Sequence, residues 1–181
     1  VFKTTIGYTC AMKFQNSTLR LNKFTDMSLG HELTTAVQMM KISRPTDIQE
    51  QAIPTAMTGI DLIAISQTGS GKTLAFALPV LKFLIQKPTA RALILAPSRE
   101  MAQQIHKVIQ LLVVDLNFTN CLVIGGIPSA KQISALKKVP RIIIGTPGRL
   151  NDHLVSNKLL LQNVEHVVID EADRMLDMGF L

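Results

Sequence analysis

The chain has 181 residues, of which 47% are apolar, 18% charged and 4% aromatic, and it carries a formal charge of +6 from 19 Lys plus Arg against 13 Asp plus Glu. That apolar content excludes wholesale disorder, the length suits one large domain, and no apolar run approaches the ~18 residues of a membrane span. The basic excess suits a polyanionic partner, but there is no block of like charges, so any nucleic-acid site has to be built by the fold.

Residues 1–23 carry little pattern, and Val1–Phe14 suggests a strand or an extended arm. From Ser28 onward Leu33, Val37 and Met40 fall on one helical face, and Pro45 ends that helix. Beyond Gly59, short apolar runs alternate with helical segments. The runs are Leu62–Ile65, Ala92–Ala96, Cys121–Ile124, Ile142–Ile144 and Val167–Ile169. They lack polar alternation, as strands covered on both faces do. Between them, Met101, Ile105, Val108, Ile109 and Leu112 recur at helical spacing. This rhythm predicts an α/β fold, a three-layer αβα arrangement around a mainly parallel sheet. Ligands in such sheets sit at the carboxyl ends of the strands, so the residues after each run carry the chemistry.

After Leu62–Ile65 comes Ser66-Gln67-Thr68-Gly69-Ser70-Gly71-Lys72-Thr73, followed by an apolar helix. Glycines let backbone N–H groups from Gln67 to Gly71 curl around a phosphate, and a helix start adds unpaired donors and partial positive charge. Lys72 is placed to bridge the outer phosphates, and the Thr73 hydroxyl to ligate Mg²⁺. Ser66 stands where the phosphate-loop pattern has glycine. After Val167–Ile169 comes Asp170-Glu171-Ala172-Asp173. Asp170 is expected to hold Mg²⁺ through water, and Glu171 to orient and deprotonate an attacking water. These crowded carboxylates call for a cation or a Lys/Arg partner. An acidic helix start is the structural alternative.

Together these two motifs resemble the DEAD-box RNA helicases, which are ATP-dependent. Further stretches match that family's pattern in order. Pro45-Thr46-Asp47-Ile48-Gln49 is similar to its adenine-reading Q motif, and Pro97-Ser98-Arg99-Glu100-Met101-Ala102 to its Pro-Thr-Arg-Glu-Leu-Ala segment. Gly125-Gly126 resembles its paired glycines, and Thr146-Pro147-Gly148-Arg149 its Thr-Pro-Gly-Arg motif. The likeness runs from Phe24 to Leu181, with residues 1–23 as an extension outside it.

The resemblance implies a RecA-like fold of the phosphate-loop NTPase class and a set of roles. Gln49 would bond the adenine edge, Phe24 would pack on the base and Arg44 would stack on it. Thr46 and Gln49 also form a capping-box pattern, so both readings of Gln49 stand. Lys41-Ile42 departs from the family's glycine followed by an aromatic. An RNA face would comprise Pro97, Ser98, Arg99, Gly126, Thr146, Pro147, Gly148 and Arg149. It lacks aromatics that read bases, so the expected contacts are to sugar and phosphate. Thr146-Pro147 doubles as a helix cap with proline in the first turn. Asp173 would serve coupling between domains.

The family also implies ATP and Mg²⁺ as cofactors. Its partners would be RNA, a second RecA-like domain of the same protein and, in some settings, protein cofactors, with no membrane. Starting at Val1 and stopping soon after Asp173, the chain reads as an excised piece without the Ser-Ala-Thr motif or the second domain. A phosphoryl-transfer site without that domain's arginine loses on the order of 10³-fold in rate, so weak nucleotide and RNA binding with almost no turnover is expected of this piece. Cys10 and Cys121 suit reduced thiols of a cytoplasmic protein, or a nuclear one in a eukaryote. Another phosphate-loop motor and a non-catalytic RNA-binding lobe are the alternative functions. His31, His106 and His153 read as scattered core or surface residues.

Overall fold

The structure, a computed structural model, describes residues 3–6, 23–156 and 161–180. Among these residues one sheet forms from β1 (Lys3–Ile6), β2 (Arg91–Leu95), β3 (Asn120–Val123), β4 (Ile142–Gly145) and β5 (Val164–Ile169). Its order is β1-β5-β2-β4-β3, and every pairing is parallel. Parallel neighbours need crossover connections. Helices supply them: α4 (Arg99–Leu112), α5 (Ser129–Leu136) and α6 (Pro147–Ser156) link successive strands from β2 onward. Helices α1 (His31–Met39), α2 (Asp47–Met57) and α3 (Lys72–Gln86) precede β2, and α7 (Ala172–Asp177) follows β5.

Alternate strand residues point to opposite faces, so each face has its own core. Ala92, Ile94, Ile142 and Ile144 pack with Leu78 and Leu81 of α3 and with Ile105 and Ile109 of α4. Leu93, Cys121, Val123 and Ile143 pack with Leu136 of α5 and Leu150 of α6. This is the expected three-layer, RecA-like arrangement. The expected face of α4 is the buried one, with Ala102 added and Val108 only half-buried.

One expectation changes. Leu62–Ile65 forms no strand, although its residues are apolar. A strand exists where a neighbour supplies ladder hydrogen bonds. Among the described residues the far edge of β5 is taken by β1, with Lys3 opposite His166 and Ile6 opposite Ile169. Within the expected arm Val1–Phe14, residues 3–6 are that strand and the remainder lies outside the described residues.

The amino end of the sheet is stapled by two arginines. Arg91 donates to the carbonyls of Pro140 (2.8 Å) and Gln162 (3.0 Å), and Arg141 to those of Leu84 (2.8 Å), Lys87 (2.9 Å) and Ala90 (2.7 Å). The carboxyl ends share one rim. Leu95 lies opposite both Gly145 and Ile169, and Val123 opposite Gly145. Segments 96–99, 124–127, 146–149 and 170–173 therefore leave the sheet side by side.

Candidate functional site

The phosphate loop is shaped by its glycines. Gly69 and Gly71 have φ of +82° and +92°, left-handed values that cost a residue with a Cβ about 1–2 kcal/mol. At Gly71 a Cβ would also collide with the Gln49 amide, whereas Gly69 borders open space. The loop closes on itself: the Ser66 and Ser70 hydroxyls are 2.6 Å apart, and Lys72 Nζ donates to the Ser66 carbonyl at 3.0 Å. The Ser66 that departs from the motif is thus a working part of the turn, offering both hydroxyl and carbonyl.

Across the rim, Asp170 is held by its N–H on the Leu95 carbonyl at 2.9 Å. Burial, and after it Glu171, raise its carboxyl from 3.8 to about 6 against the opposing charge of Lys72. Glu171 has φ of +48°, uncommon for a residue with a side chain and frequent where function demands it. Its carboxylate meets Arg174 at 3.1 Å, which provides the expected arginine partner. Between the two segments lies a cleft of about 380 Å³. Ser66, Gln67, Thr68 and Lys72 line one side of it, and Asp170, Glu171, Asp173 and Arg174 the other. Its apolar wall includes Ile48, Ala52, Leu62, Phe76 and Val168. Thr73 is half-buried at the start of α3 and is not on the wall.

These oxygen donors fit a hard divalent ion. A carboxyl that burial and a neighbouring carboxylate hold near pH 6 gains from a cation, and Mg²⁺ needs only one or two protein oxygens beside water and phosphate. Among the described residues no cluster of three His, Cys, Asp or Glu could form a complete protein cage.

The structure does not bring Phe24 or Arg44 to the cleft wall. Phe24 is 4% exposed and spends its ring on the core beside Met27 and Leu33, while Arg44 is exposed. Gln49 is buried and makes the capping box: its Oε1 accepts from Thr46 N–H at 3.0 Å. Its Nε2 donates to the Gly71 carbonyl at 2.9 Å, which ties α2 to the phosphate loop. A carboxamide has two donors and two acceptor positions, so one of each is left by these bonds.

The second group of candidates lies on β2, β4 and β3 of the same rim. Ser98 caps α4 by accepting from Met101 N–H at 3.2 Å. Arg99 lies over the paired glycines, and a Cβ at Gly125 would be 2.8 Å from its guanidinium, at Gly126 3.3 Å. Gly126 also has φ of +86°, a left-handed value that itself favours glycine. Pro97 is buried, Thr146 and Pro147 are half-buried, and Gly126 and Gly148 are exposed. Pro147 occupies the first position of α6, where a missing N–H costs nothing. Arg149 is braced: it donates to the Ile127 carbonyl at 3.1 Å and to Gln132 Oε1 at 3.4 Å, and sits 3.6 Å from Asp152.

The sequence did not single out Gln132, which is 2% exposed, and His153, expected in the core or at the surface, is core at 1% exposed. Gln132 shares the buried face of α5 with Leu136, and His153 that of α6 with Leu150. A polar residue on an apolar helix face was the available signal, because such a group must find partners when buried.

No helix among the described residues is long and apolar enough to cross a membrane. Known proteins agree with the geometry. The DEAD/DEAH box helicase family profile matches residues 46–181. ATP-dependent rRNA helicase RRP3 of Pyricularia oryzae is 45% identical over 159 residues, covering 87% of this chain and 30% of that protein. The RRP3 of Debaryomyces hansenii is 41% identical over 181 residues, covering 99% and 36%. Probable ATP-dependent RNA helicase DDX27 of Homo sapiens is 45% identical over 162 residues, covering 87% and 21%. The chain thus spans between about a fifth and a third of these curated relatives. With a phosphate loop and an Asp-Glu-Ala-Asp segment facing each other across one cleft, and that profile covering most of its length, the chain belongs to the DEAD/DEAH box helicase family.

Proposed function

We propose that this chain is the ATP-binding lobe of an ATP-dependent RNA helicase, binding ATP with Mg²⁺ and contacting the RNA sugar-phosphate backbone. The observation that carries the reading is one cleft lined by both the phosphate-loop residues with Lys72 and the acidic segment with Asp170 and Glu171. Lys72 is held by a carbonyl, a weaker partner than an anion, so a phosphate oxygen displaces Ser66 readily. Backbone donors from Gln67 to Gly71 and the start of α3 take the remaining phosphate oxygens. Gln49, with its remaining donor and acceptor, and the exposed Arg44 are assigned to the adenine end, whereas the core-packed Phe24 shapes that end only from behind. Asp170, through water, and Thr73 would hold the magnesium ion, which supplies neutralisation of charge developing on the phosphates. Glu171 orients the attacking water and accepts its proton.

The RNA-facing set is Pro97, Ser98, Arg99, Gly126, Thr146, Pro147, Gly148 and Arg149. Capped helix starts and arginines recognise phosphate, not bases, so binding is sequence-tolerant and weakened by salt. Ribosomal RNA appears in the names of the RRP3 relatives; these loops select for backbone alone. Asp173 and a second RecA-like domain complete the catalytic machine, with that domain supplying an arginine.

The reading is tested by melting the protein with and without MgATP or MgADP. A rise in melting temperature that grows with nucleotide concentration is expected, and Lys72→Ala is expected to abolish it. No rise at saturating nucleotide in the unaltered protein sinks the proposal.

A further inference from the structure

Gln132 uses its entire hydrogen-bonding capacity on two loops. Its Nε2 donates to the carbonyls of Ile124 (2.8 Å) and Ile127 (3.0 Å), the residues on either side of Gly125-Gly126. Its Oε1 accepts from His153 Nε2 (3.1 Å) and Arg149 Nε (3.4 Å), both on α6. Two donors and two acceptor positions are all that a carboxamide has. The bonds also fix the chemistry of the histidine. Because the amide nitrogen is committed to two carbonyls, its oxygen faces the ring, and His153 Nε2 must carry a proton. Arg149 closes the same circuit by donating to the Ile127 carbonyl at 3.1 Å.

The circuit joins the glycine turn after β3 to the first turns of α6 after β4. Its bonds are buried or half-buried, so they are electrostatically stronger than in water and leaving one unmade is costly. Both residues lie behind the loops: Gln132 and His153 are nearly inaccessible, whereas Gly126 and Gly148 are exposed in front of them. We propose that Gln132 and His153 are positioning residues that set the spacing between the glycine turn and the start of α6, so that both meet successive backbone phosphates of one RNA strand. This rests on the RNA-face reading above and deepens it. A one-ångström error in that spacing leaves the phosphate donors present but misdirected.

The test uses the intact protein, single-stranded oligouridylate as probe, and RNA-stimulated ATPase read as half-saturating RNA and half-saturating ATP. Gln132→Met keeps length and apolar bulk but cancels the circuit. It is expected to raise half-saturating RNA about tenfold, the cost of one net buried hydrogen bond, and to leave half-saturating ATP within about twofold. His153→Leu is expected to do the same, and His153→Gln, whose amide can donate to Gln132, to restore RNA binding. If Gln132→Met does not fold, the contrast between His153→Leu and His153→Gln decides alone. Half-saturating RNA that stays put in folded variants overturns the proposal, as does a parallel loss of RNA and ATP affinity, which would mark mere structural damage. Arg149→Ala separates the two levels. If it weakens RNA binding and Gln132→Met does not, only the positioning role fails. If Arg149→Ala is silent, the RNA face itself is wrong and the positioning role falls with it.

Discussion

The half of the rim proposed to hold nucleotide and the half proposed to face RNA are built on opposite principles. In the nucleotide half, charged groups rest on exchangeable partners: Lys72 on a carbonyl, and Glu171 on Arg174, whose side chain is largely exposed. In the half proposed to face RNA, the groups behind the surface are locked by buried and half-buried bonds through Gln132, His153 and Arg149, with the Gln132 amide fully used. The contrast fits the ligands proposed for each half. A triphosphate tail is compact and must be gripped and released, so its cations need partners that an anion can displace. A nucleic-acid backbone is a repeating array, and reading it requires donors at a set spacing.

The strongest challenge to this contrast is Asp170→Asn. The folded pKa near 6 lies above the ordinary 3.8, so the folded state holds the proton more tightly. The associated stability is present at low pH and is lost as pH rises through about 6. At neutral pH without Mg²⁺, Asn removes a cost of up to about 2–3 kcal/mol, roughly two units at 1.36 kcal/mol each. The variant should melt higher than the parent at pH 7.5, with the gap closing towards pH 4–5, and should lose ATPase activity. A gap independent of pH would mean that Asp170 is not strained by burial.

Gly145→Ala probes the locked half. Its Cβ would collide with the Val123 carbonyl oxygen and meet Leu150 at 3.1 Å, where Thr146 N–H also bonds Val123 at 3.1 Å. Overpacking between two strands should cost about 2 kcal/mol and lower the melting temperature by roughly 4–8 °C. An unchanged melting curve would show that β3 and β4 can move apart freely, against the locked picture. Arg174→Ala should do least to stability. The pair is largely exposed on the arginine side, and such pairs contribute about 0–1 kcal/mol, so a melting shift under about 3 °C is expected. A larger drop would make the nucleotide half as firmly locked as the RNA half.

Much of this was legible before any coordinates. The run of apolar segments and the helical spacing of Ile105, Ile109 and Leu112 indicated layers and a parallel sheet. The order of motifs indicated the cleft and the rim. The capping box at Thr46 and Gln49 was legible too, because it depends on four consecutive residues. The failures have a common cause. Leu62–Ile65 has the composition of a strand, but strand formation depends on a neighbour that composition does not name. The burial of Phe24, the contact of Gln49 with Gly71, the seat of Arg99 on the glycines and the Gln132–His153 circuit all join residues distant in sequence.

By itself the sequence determined the chemistry available to this protein: a glycine-bounded phosphate loop, a crowded acidic turn and capped helix starts, each a local pattern whose backbone geometry follows from a few adjacent residues. Only the tertiary structure decided which of those groups face one another, which are held in place and which are free to exchange partners. The reason is physical. Facing, bracing and burial are set by long-range packing, where the partner that satisfies a buried amide or opposes a buried carboxylate comes from another element of the fold.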